Sequence, residues 1–149
     1  MTFPSLNRHQ IREKALQAIF QIRSNQELER DEAIVMALLS DTEEDVDSVE
    51  VPEYPYLFEL VNGVLENETA INERINPFLK NWTMNRLAKA DIIILQIATY
   101  EIAFTTTSDV PPAVALNEAI ELAKAYCDDS SRKFINAVLS NLLKEIQNP

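Results

Sequence analysis

The sequence predicts an all-α fold, and three observations support this prediction. The 149-residue chain contains a single glycine, Gly63, whereas tight hairpins between strands usually need glycine at positive φ. Apolar residues recur at spacings of three and four along most of the chain, as they do on one face of a helix. The run Ile92–Leu95 resembles a strand by itself, but apolar residues at helical spacing flank it on both sides. We therefore interpret it as part of a buried helix.

The first two helices are predicted near the N-terminus. The first covers residues 11–22, where one face carries the apolar residues Ile11, Ala15, Leu16, Ile19, Phe20 and Ile22. Its cap is Ser5 or Asn7, and Arg8, Arg12 and Arg23 are expected to lie off the apolar face. A second helix is predicted over residues 28–39. Residues 40–55 are acidic, poor in apolar side chains and contain two prolines, so we expect an exposed loop there.

The central segment predicts three further helices, one of them short. A third helix should cover residues 56–75, and Pro77 should begin another short helix because proline is tolerated in a first turn. The next helix lies within residues 83–104, where Leu87, Ala88, Asp91, Leu95, Ala98 and Ile102 continue one face. This helix should be buried and central.

The C-terminal segment predicts two more helices after a loop over residues 105–112. Pro111 and Pro112 open a helix over residues 113–126. The last helix should begin near Ser130 or Ser131 and end at about Ile146. The total is six to seven helices, with no convincing strand.

Charge is distributed unevenly along this chain of net charge −11. Residues 1–23 contain four basic side chains and one acidic side chain, Glu13. Residues 24–68 contain fourteen acidic side chains and one basic side chain, Arg30. The remainder is nearly balanced. The chain thus has a basic N-terminal arm and a strongly acidic middle, which is more often a solvated loop than a site for a basic partner.

Composition argues against several function classes. The only histidine is His9 and the only cysteine is Cys127, so a histidine-based triad, an internal disulfide and a structural zinc cluster are not expected. One glycine cannot make a glycine-rich phosphate loop. We therefore predict no catalytic residues, no metal site and no cofactor. No apolar run approaches the roughly 18 residues that cross a bilayer and no signal peptide is visible, so we expect a cytoplasmic protein.

Two groups of residues are candidates for contacts with nucleic acid. In the arm, Arg8 and Arg12 are four residues apart and share a helix face, with Lys14 beside them. The helix dipole does not favour cations near a helix start, and a phosphate contact would explain them. The second group surrounds the start of the last helix and comprises Tyr126, Ser130, Ser131, Arg132, Lys133 and Phe134.

The second group allows two interpretations. Free amides at a helix start can hold a phosphate, Arg132 and Lys133 add positive charge, and Tyr126 and Phe134 offer faces for unstacked bases. Alternatively, Phe134 belongs to the core with Ile135 and its neighbours, and the two cations are simply solvated.

Longer stretches of the sequence resemble the NusB family of transcription antitermination factors. The resemblance lies in KADIIILQIATYEIAF, DVPPAVALNEAIELAKAY and SSRKFINAVLSNLL, together with REKALQAIFQ near the N-terminus. It extends from about Arg8 to Leu143. As a set, Asp91, the residues Ala98–Glu101, Val110–Pro111 and Asn117–Ala119 are specific, although each alone is weak.

This resemblance implies a single domain, 1–149, that binds RNA and catalyses no reaction. It implies about seven helices in two small three-helix subdomains, an N-terminal one over about 5–80 and a C-terminal one over about 81–147. The implied partners are boxA-type single-stranded RNA, the small-subunit ribosomal protein NusE, and the RNA polymerase elongation complex with other Nus factors.

The family's RNA-contacting regions correspond to both candidate groups: Arg8, Arg12 and Lys14, then Tyr126 and residues 130–134. The arm has fewer cations than the richest members, so RNA binding without NusE should be modest. For NusE, an acidic and apolar face near Trp82 is a candidate. The alternative function is a helical protein–protein interaction module or homodimer without its own RNA-binding role.

Overall fold

The computed structural model of the chain describes residues 5–40, 54–80, 87–105 and 110–148. These residues form seven α-helices and no strand, which confirms the predicted all-α fold. In chain order the helices are α1 Arg8–Ser24, α2 Arg30–Leu38, α3 Pro55–Glu66, α4 Glu68–Ile75, α5 Lys89–Ala103, α6 Pro112–Tyr126 and α7 Asp129–Gln147.

The chain divides into two compact units, residues 1–62 and residues 63–149. In the first unit α1 packs against α2 through apolar faces that exclude water. The fully or nearly fully buried side chains are Ile11, Ala15, Leu16, Ala18 and Ile19 from α1 and Ala33, Ile34, Val35 and Ala37 from α2. The subdomain boundary predicted near residue 80 stays a prediction, and it falls beside residues 81–86, which lie outside the described part.

The second unit is built around α5, which packs against α4, α6 and α7. All residues from Ile93 to Glu101 are buried, so this helix has almost no solvent-facing side in its middle. The predicted buried central helix is confirmed, and Ile92–Leu95 are helical. No described helix combines the length and apolar character needed to span a membrane.

Helix boundaries differ from the predictions in one place, because residues 56–75 form two helices rather than one. Asn67 separates α3 from α4 with a ψ of 18°, and its side-chain Nδ2 donates to the carbonyl of Gly63 at 2.8 Å. The Gly63 carbonyl also accepts from the Asn67 backbone amide at 3.1 Å, so the side chain adds a second bond at the junction, of the kind that favours a non-helical asparagine. Pro77 lies in a separate 3₁₀ turn, Asn76–Phe78, as the sequence predicted.

Helix starts follow the local sequence. At α1, Asn7 and Gln10 form a capping box, in which each side chain accepts from the other's backbone amide. At α6, Pro111 is the N-cap residue and Pro112 the first helical residue, so the missing proline amide breaks no intrahelical bond. Three predicted features lie outside the described residues: most of the acidic loop (41–53), Trp82, and residues 106–109 of the following loop.

Gly63 is the position at which the packing of the second unit leaves no room for a side chain. A Cβ atom added there would overlap the Tyr100 ring and lie 2.8 Å from its Oη. Because Tyr100 is on the buried helix α5 and only 7 % exposed, its ring has little space to retreat. The single glycine of this chain is therefore required by close helix packing rather than by a turn.

We expect Gly63→Ala to lower the free energy of unfolding by about 1–2 kcal/mol. Overpacking a core costs about 1–3 kcal/mol, and alanine recovers up to about 1 kcal/mol through helix propensity. Urea denaturation followed by circular dichroism measures the change. In a Tyr100→Leu background the same substitution should cost less. Equal stability of Gly63→Ala and the unaltered chain would contradict the packing argument.

Candidate nucleic-acid interface

Arg8, the first cation of the arm, lies at the surface. Its guanidinium carbon is 3.7 Å from the centroid of the Tyr56 ring, and the residue is exposed. A cation over an aromatic face is worth about 0.5–1 kcal/mol at exposed sites. The ring is in contact with the guanidinium, and because the residue is exposed an anion can still approach it.

The other two cations of the arm are buried, and for Arg12 this differs from the expectation that it lies off the apolar face. Arg12 is 2 % exposed and Lys14 is 7 % exposed. Lys14 Nζ donates a hydrogen bond of 3.1 Å to Ser40 Oγ, just after α2. The structure thus keeps Arg8 available to solvent and places Arg12 and Lys14 inside the first unit.

The spacing of residues explains this burial. Arg12 precedes Ala15, Leu16 and Ile19 by three, four and seven residues, so it continues the apolar face of α1 by one turn. Lys14 precedes the buried residue Ala18 by four residues, so it also lies one turn before a buried position. The spacing is visible in the sequence, but it did not suggest burial, because arginine and lysine are rarely found buried.

The second group is organised by the N-terminus of α7. Asp128 is the N-cap residue, and its carboxylate accepts from the Ser131 backbone amide at 2.8 Å. The helix begins at Asp129, slightly before the predicted start near Ser130 or Ser131, because Asp128 takes the capping position. The backbone hydrogen bond from Ser131 lowers the pKa of the Asp128 carboxyl, so this cap is charged at neutral pH.

Ser131 joins α7 to α5 through a buried carboxylate. Its hydroxyl Oγ donates to Asp91 Oδ2 at 3.0 Å, and Asp91, in the first turn of α5, is 6 % exposed. One residue thus contributes its amide to the cap and its hydroxyl to a neighbouring helix. A buried carboxylate needs such donors, since an unsatisfied one is costly.

A cavity of about 410 Å³ opens beside these groups. It is lined by Leu87, Ala88, Asp91, Asp128, Ser130, Ser131 and Phe134. Phe134 is half-buried, so its ring belongs partly to the core and partly to the cavity wall. The lining combines an aromatic face with carboxylate and hydroxyl oxygens, which suits a flat ring that carries hydrogen-bond donors.

The remaining residues of the second group are at the surface. Lys133 is exposed, and Tyr126 is 39 % exposed. Arg132 NH2 lies 3.0 Å from Asp129 Oδ1 in an ion pair one turn apart. Such exposed pairs contribute little stability, so this arginine can exchange the carboxylate for a phosphate at small cost.

Cys127 lies between α6 and α7 and is half-buried. Burial raises the pKa of its thiol to about 12, and a hydrogen bond to Asp91 and the charges of Asp91 and Asp128 act in the same direction. A neutral thiol is a poor nucleophile and a poor metal ligand. Among the described residues, no group of three or more histidine, cysteine or acidic side chains could hold a metal ion.

The structure therefore brings three of the six residues of the second group into one cavity and does not bring the first group together. Ser130, Ser131 and Phe134 line one cavity. In the first group Arg8 is exposed, whereas Arg12 and Lys14 are buried. Tyr56 and the acceptor Ser40 were not predicted as neighbours of the arm, and no sequence pattern marks them. The arm belongs to the unit 1–62 and the second group to the unit 63–149.

Comparison with known proteins decides the family. The sequence model of the NusB family matches residues 9–144 of the chain. The chain belongs to the NusB family. It is 49 % identical to the transcription antitermination protein NusB of Enterococcus faecalis over 148 residues, an alignment that covers 98 % of this chain and 95 % of that protein. The Listeria monocytogenes protein of the same name is 44 % identical over 140 residues, covering 94 % and 98 %.

Solved NusB structures share this fold. NusB of T. maritima superposes with a TM-score of 0.76 at 28 % identity, covering 95 % of this chain and 94 % of that one. A structure of the antitermination factors NusB and NusE in complex with double-stranded RNA matches with a TM-score of 0.72 at 21 % identity, covering 93 % and 96 %. At that identity the likeness shows the fold alone.

The N-cap of α7 generates a prediction about pH. The depressed pKa of Asp128 means that its contribution to stability is present above the unfolded pKa, near 3.8, and is lost as pH falls through the lower folded value. Asp128→Ala should lower the thermal midpoint at neutral pH and flatten the acid limb of the stability profile. Asp128→Asn, which keeps the capping oxygen, should retain more of the neutral-pH midpoint. Identical acid limbs in all three proteins would contradict the charged cap.

The environment of Cys127 generates a prediction about reactivity. At pH 8 we expect iodoacetamide to alkylate the folded chain at least about tenfold more slowly than the urea-unfolded chain, because the folded thiol with a pKa of about 12 is almost entirely protonated. Asp91→Asn removes a carboxylate that raises this pKa and should speed alkylation of the folded protein. Mass spectrometry of quenched samples gives both rates. Equal rates for folded and unfolded chains would show an unperturbed thiol.

Proposed function

We propose that this chain is a transcription antitermination factor that binds boxA-type single-stranded RNA together with ribosomal protein NusE. In this role it acts on the RNA polymerase elongation complex with other Nus factors and catalyses no reaction. The observation that carries the proposal is the 49 % identity, over 98 % of the chain, to a protein named for transcription antitermination. Its place of action would be the cytoplasm, with the polymerase.

The start of α7 supports RNA as the ligand. Arg132 and Lys133 offer positive charge on one side of the helix, and Phe134 offers an aromatic ring in the adjacent cavity. A nucleotide has the same two parts, a phosphate and a flat base. Phosphate contacts position the chain and base contacts select it, and only an unpaired strand can offer an unstacked base to Phe134.

The arm supports a more limited role than its sequence suggests. Arg8 is the arm residue whose guanidinium is exposed to solvent, so we assign it a phosphate contact. For Arg12 or Lys14 to touch RNA, each side chain would have to leave a buried position. That step costs packing and hydrogen bonds, so their contribution to affinity should be smaller than that of Arg8.

NusE is proposed as the second partner on the basis of the family. One structural neighbour is a complex of NusB with NusE and double-stranded RNA. A ribosomal protein is rich in cations, and the net charge of −11 favours its encounter with this chain. The competing function is a protein–protein module or homodimer with no RNA role of its own.

The proposal is tested by titrating labelled boxA RNA with the chain, with and without NusE, at two salt concentrations. We expect sequence-dependent binding that NusE strengthens, with a scrambled single strand and a boxA duplex as controls. Sizing chromatography in the same buffers reports the oligomeric state. If boxA binds no better than the scrambled strand even with NusE, and the chain elutes as a homodimer, the protein–protein alternative replaces the RNA-binding function.

Single substitutions then test the proposed contacts. Lys133→Ala and Arg8→Ala should each weaken boxA binding severalfold and reduce the slope of log K against log salt by about 0.7, because each loses one phosphate contact. Arg12→Ala should instead lower the unfolding midpoint and leave the salt slope nearly unchanged, since Arg12 is buried. An Arg12→Ala protein of normal stability with a reduced salt slope would show that Arg12 reaches the RNA.

A further inference from the structure

A second concave surface lies between α6 and α7. It has a volume of about 580 Å³, and its polar lining consists of three cations, two asparagines and one carboxylate: Lys124, Arg132, Lys133, Asn117, Asn136 and Glu121. We call it the α6–α7 groove. It shares no lining residue with the Phe134 cavity, so the two lie on different sides of the first turns of α7.

The arrangement of the groove follows from the helical hairpin. Only Cys127 and Asp128 connect α6 to α7, so the C-terminal end of α6 lies near the N-terminal end of α7. Lys124, in the last turn of α6, therefore lies close in the hairpin to Arg132 and Lys133. Asn117 lies seven residues earlier than Lys124, which is about 10 Å along the helix axis. The groove thus has a cationic end and an amide-lined stretch beyond it.

The cations of the groove are available for a ligand. Lys124 Nζ pairs with Glu121 Oε1 at 3.0 Å, with both side chains about half exposed, 51 % and 53 %. An exposed pair three residues apart on one helix is worth only a few tenths of a kcal/mol. A phosphate can therefore displace Glu121 from Lys124 at little cost. The lining keeps an excess of positive charge in a chain whose net charge is −11.

The asparagines give the groove a second chemical character. Each amide presents donors and an acceptor, the combination that pairs with the edges of unstacked bases. Asn117 and Asn136 are both exposed, one on each wall. Asn136 Oδ1 accepts only a long hydrogen bond of 3.4 Å from Ser140 Oγ. Both amides can therefore turn to meet a ligand.

We propose that the α6–α7 groove is an additional binding site for RNA, which holds a nucleotide adjacent to the one at the Phe134 cavity. Lys124 and Lys133 contact its phosphate, and Asn117 and Asn136 contact the base edge. A basic protein would be repelled by the cationic end, so the groove fits the anionic partner and not the ribosomal one. This inference rests on the proposed RNA-binding function and adds Lys124, Asn117 and Asn136 to it.

The test compares matched substitutions by fluorescence anisotropy with a boxA-type single strand over a series of salt concentrations. Lys124→Gln should weaken binding about threefold to tenfold and reduce the salt slope by about 0.7, as expected for one lost phosphate of a single strand. Glu121→Gln should strengthen binding, because it removes the carboxylate that competes with the phosphate. Lys144→Gln is the control: the same change of charge on an exposed residue of α7 outside the groove.

Nuclear magnetic resonance provides a second measurement, which tests direct contact with the asparagines rather than the effect of charge alone. On addition of the RNA, the side-chain amide signals of Asn117 and Asn136 should shift, whereas that of the exposed residue Asn148 should not. If the unaltered chain binds no RNA, the proposed function itself fails. If it binds while Lys124→Gln matches Lys144→Gln and the two amides stay unshifted, the groove proposal is overturned and the RNA-binding function remains.

Discussion

The second unit depends on one constraint, the burial of α5 with polar side chains on it. Helix α5 packs against three other helices, and Asp91, Gln96, Thr99 and Glu101 are buried along with its apolar residues. Burying such groups is favourable only where they find partners. Asp91 accepts from Ser131 of α7 at 3.0 Å, and Gln96 donates to Asn72 of α4 at 2.8 Å. These two bonds fix the rotation and height of the neighbouring helices, which apolar contact alone defines less sharply.

The same constraint places the candidate functional groups. Because Ser131 is held to α5 by its hydroxyl and to Asp128 by its amide, the first turn of α7 has a fixed orientation. That orientation places Phe134, one turn later, on the cavity side and places Arg132 and Lys133 on the groove side. A site built on a rigid helix start loses less conformational entropy on binding than one on a loop. Ser131 and Asp128 therefore support both the fold and the candidate site, so a substitution at either residue is expected to affect both.

How far the sequence predicts this molecule depends on the range of the interactions involved. Helix number, the buried helix α5 and the proline-opened helix α6 were predictable, because periodicity and proline geometry are local properties of the chain. The break at Asn67 was not predicted, since an asparagine can either continue a helix or interrupt it with a hydrogen bond from its side chain to the backbone. Packing against neighbouring helices decides between these outcomes. The cap at Asp128 was missed because the four consecutive residues 128–131, Asp-Asp-Ser-Ser, are all good caps. The burial of Arg12 was missed because its charge was given more weight than its position on the apolar face.

The distribution of charge explains how so acidic a chain can hold an anion. Repulsion from the distant acidic residues falls off with a screening length of about 8 Å at physiological ionic strength, so a bound phosphate responds mainly to the charges next to it. On the groove side of α7 those charges are Arg132, Lys133 and Lys124, opposed by Asp129 and Glu121 in ion pairs, whereas the charged cap Asp128 lines the Phe134 cavity. A phosphate that binds on the groove side would replace a carboxylate in one of these pairs rather than create a new charged contact. If RNA binds at these residues as proposed, its affinity is expected to depend strongly on salt.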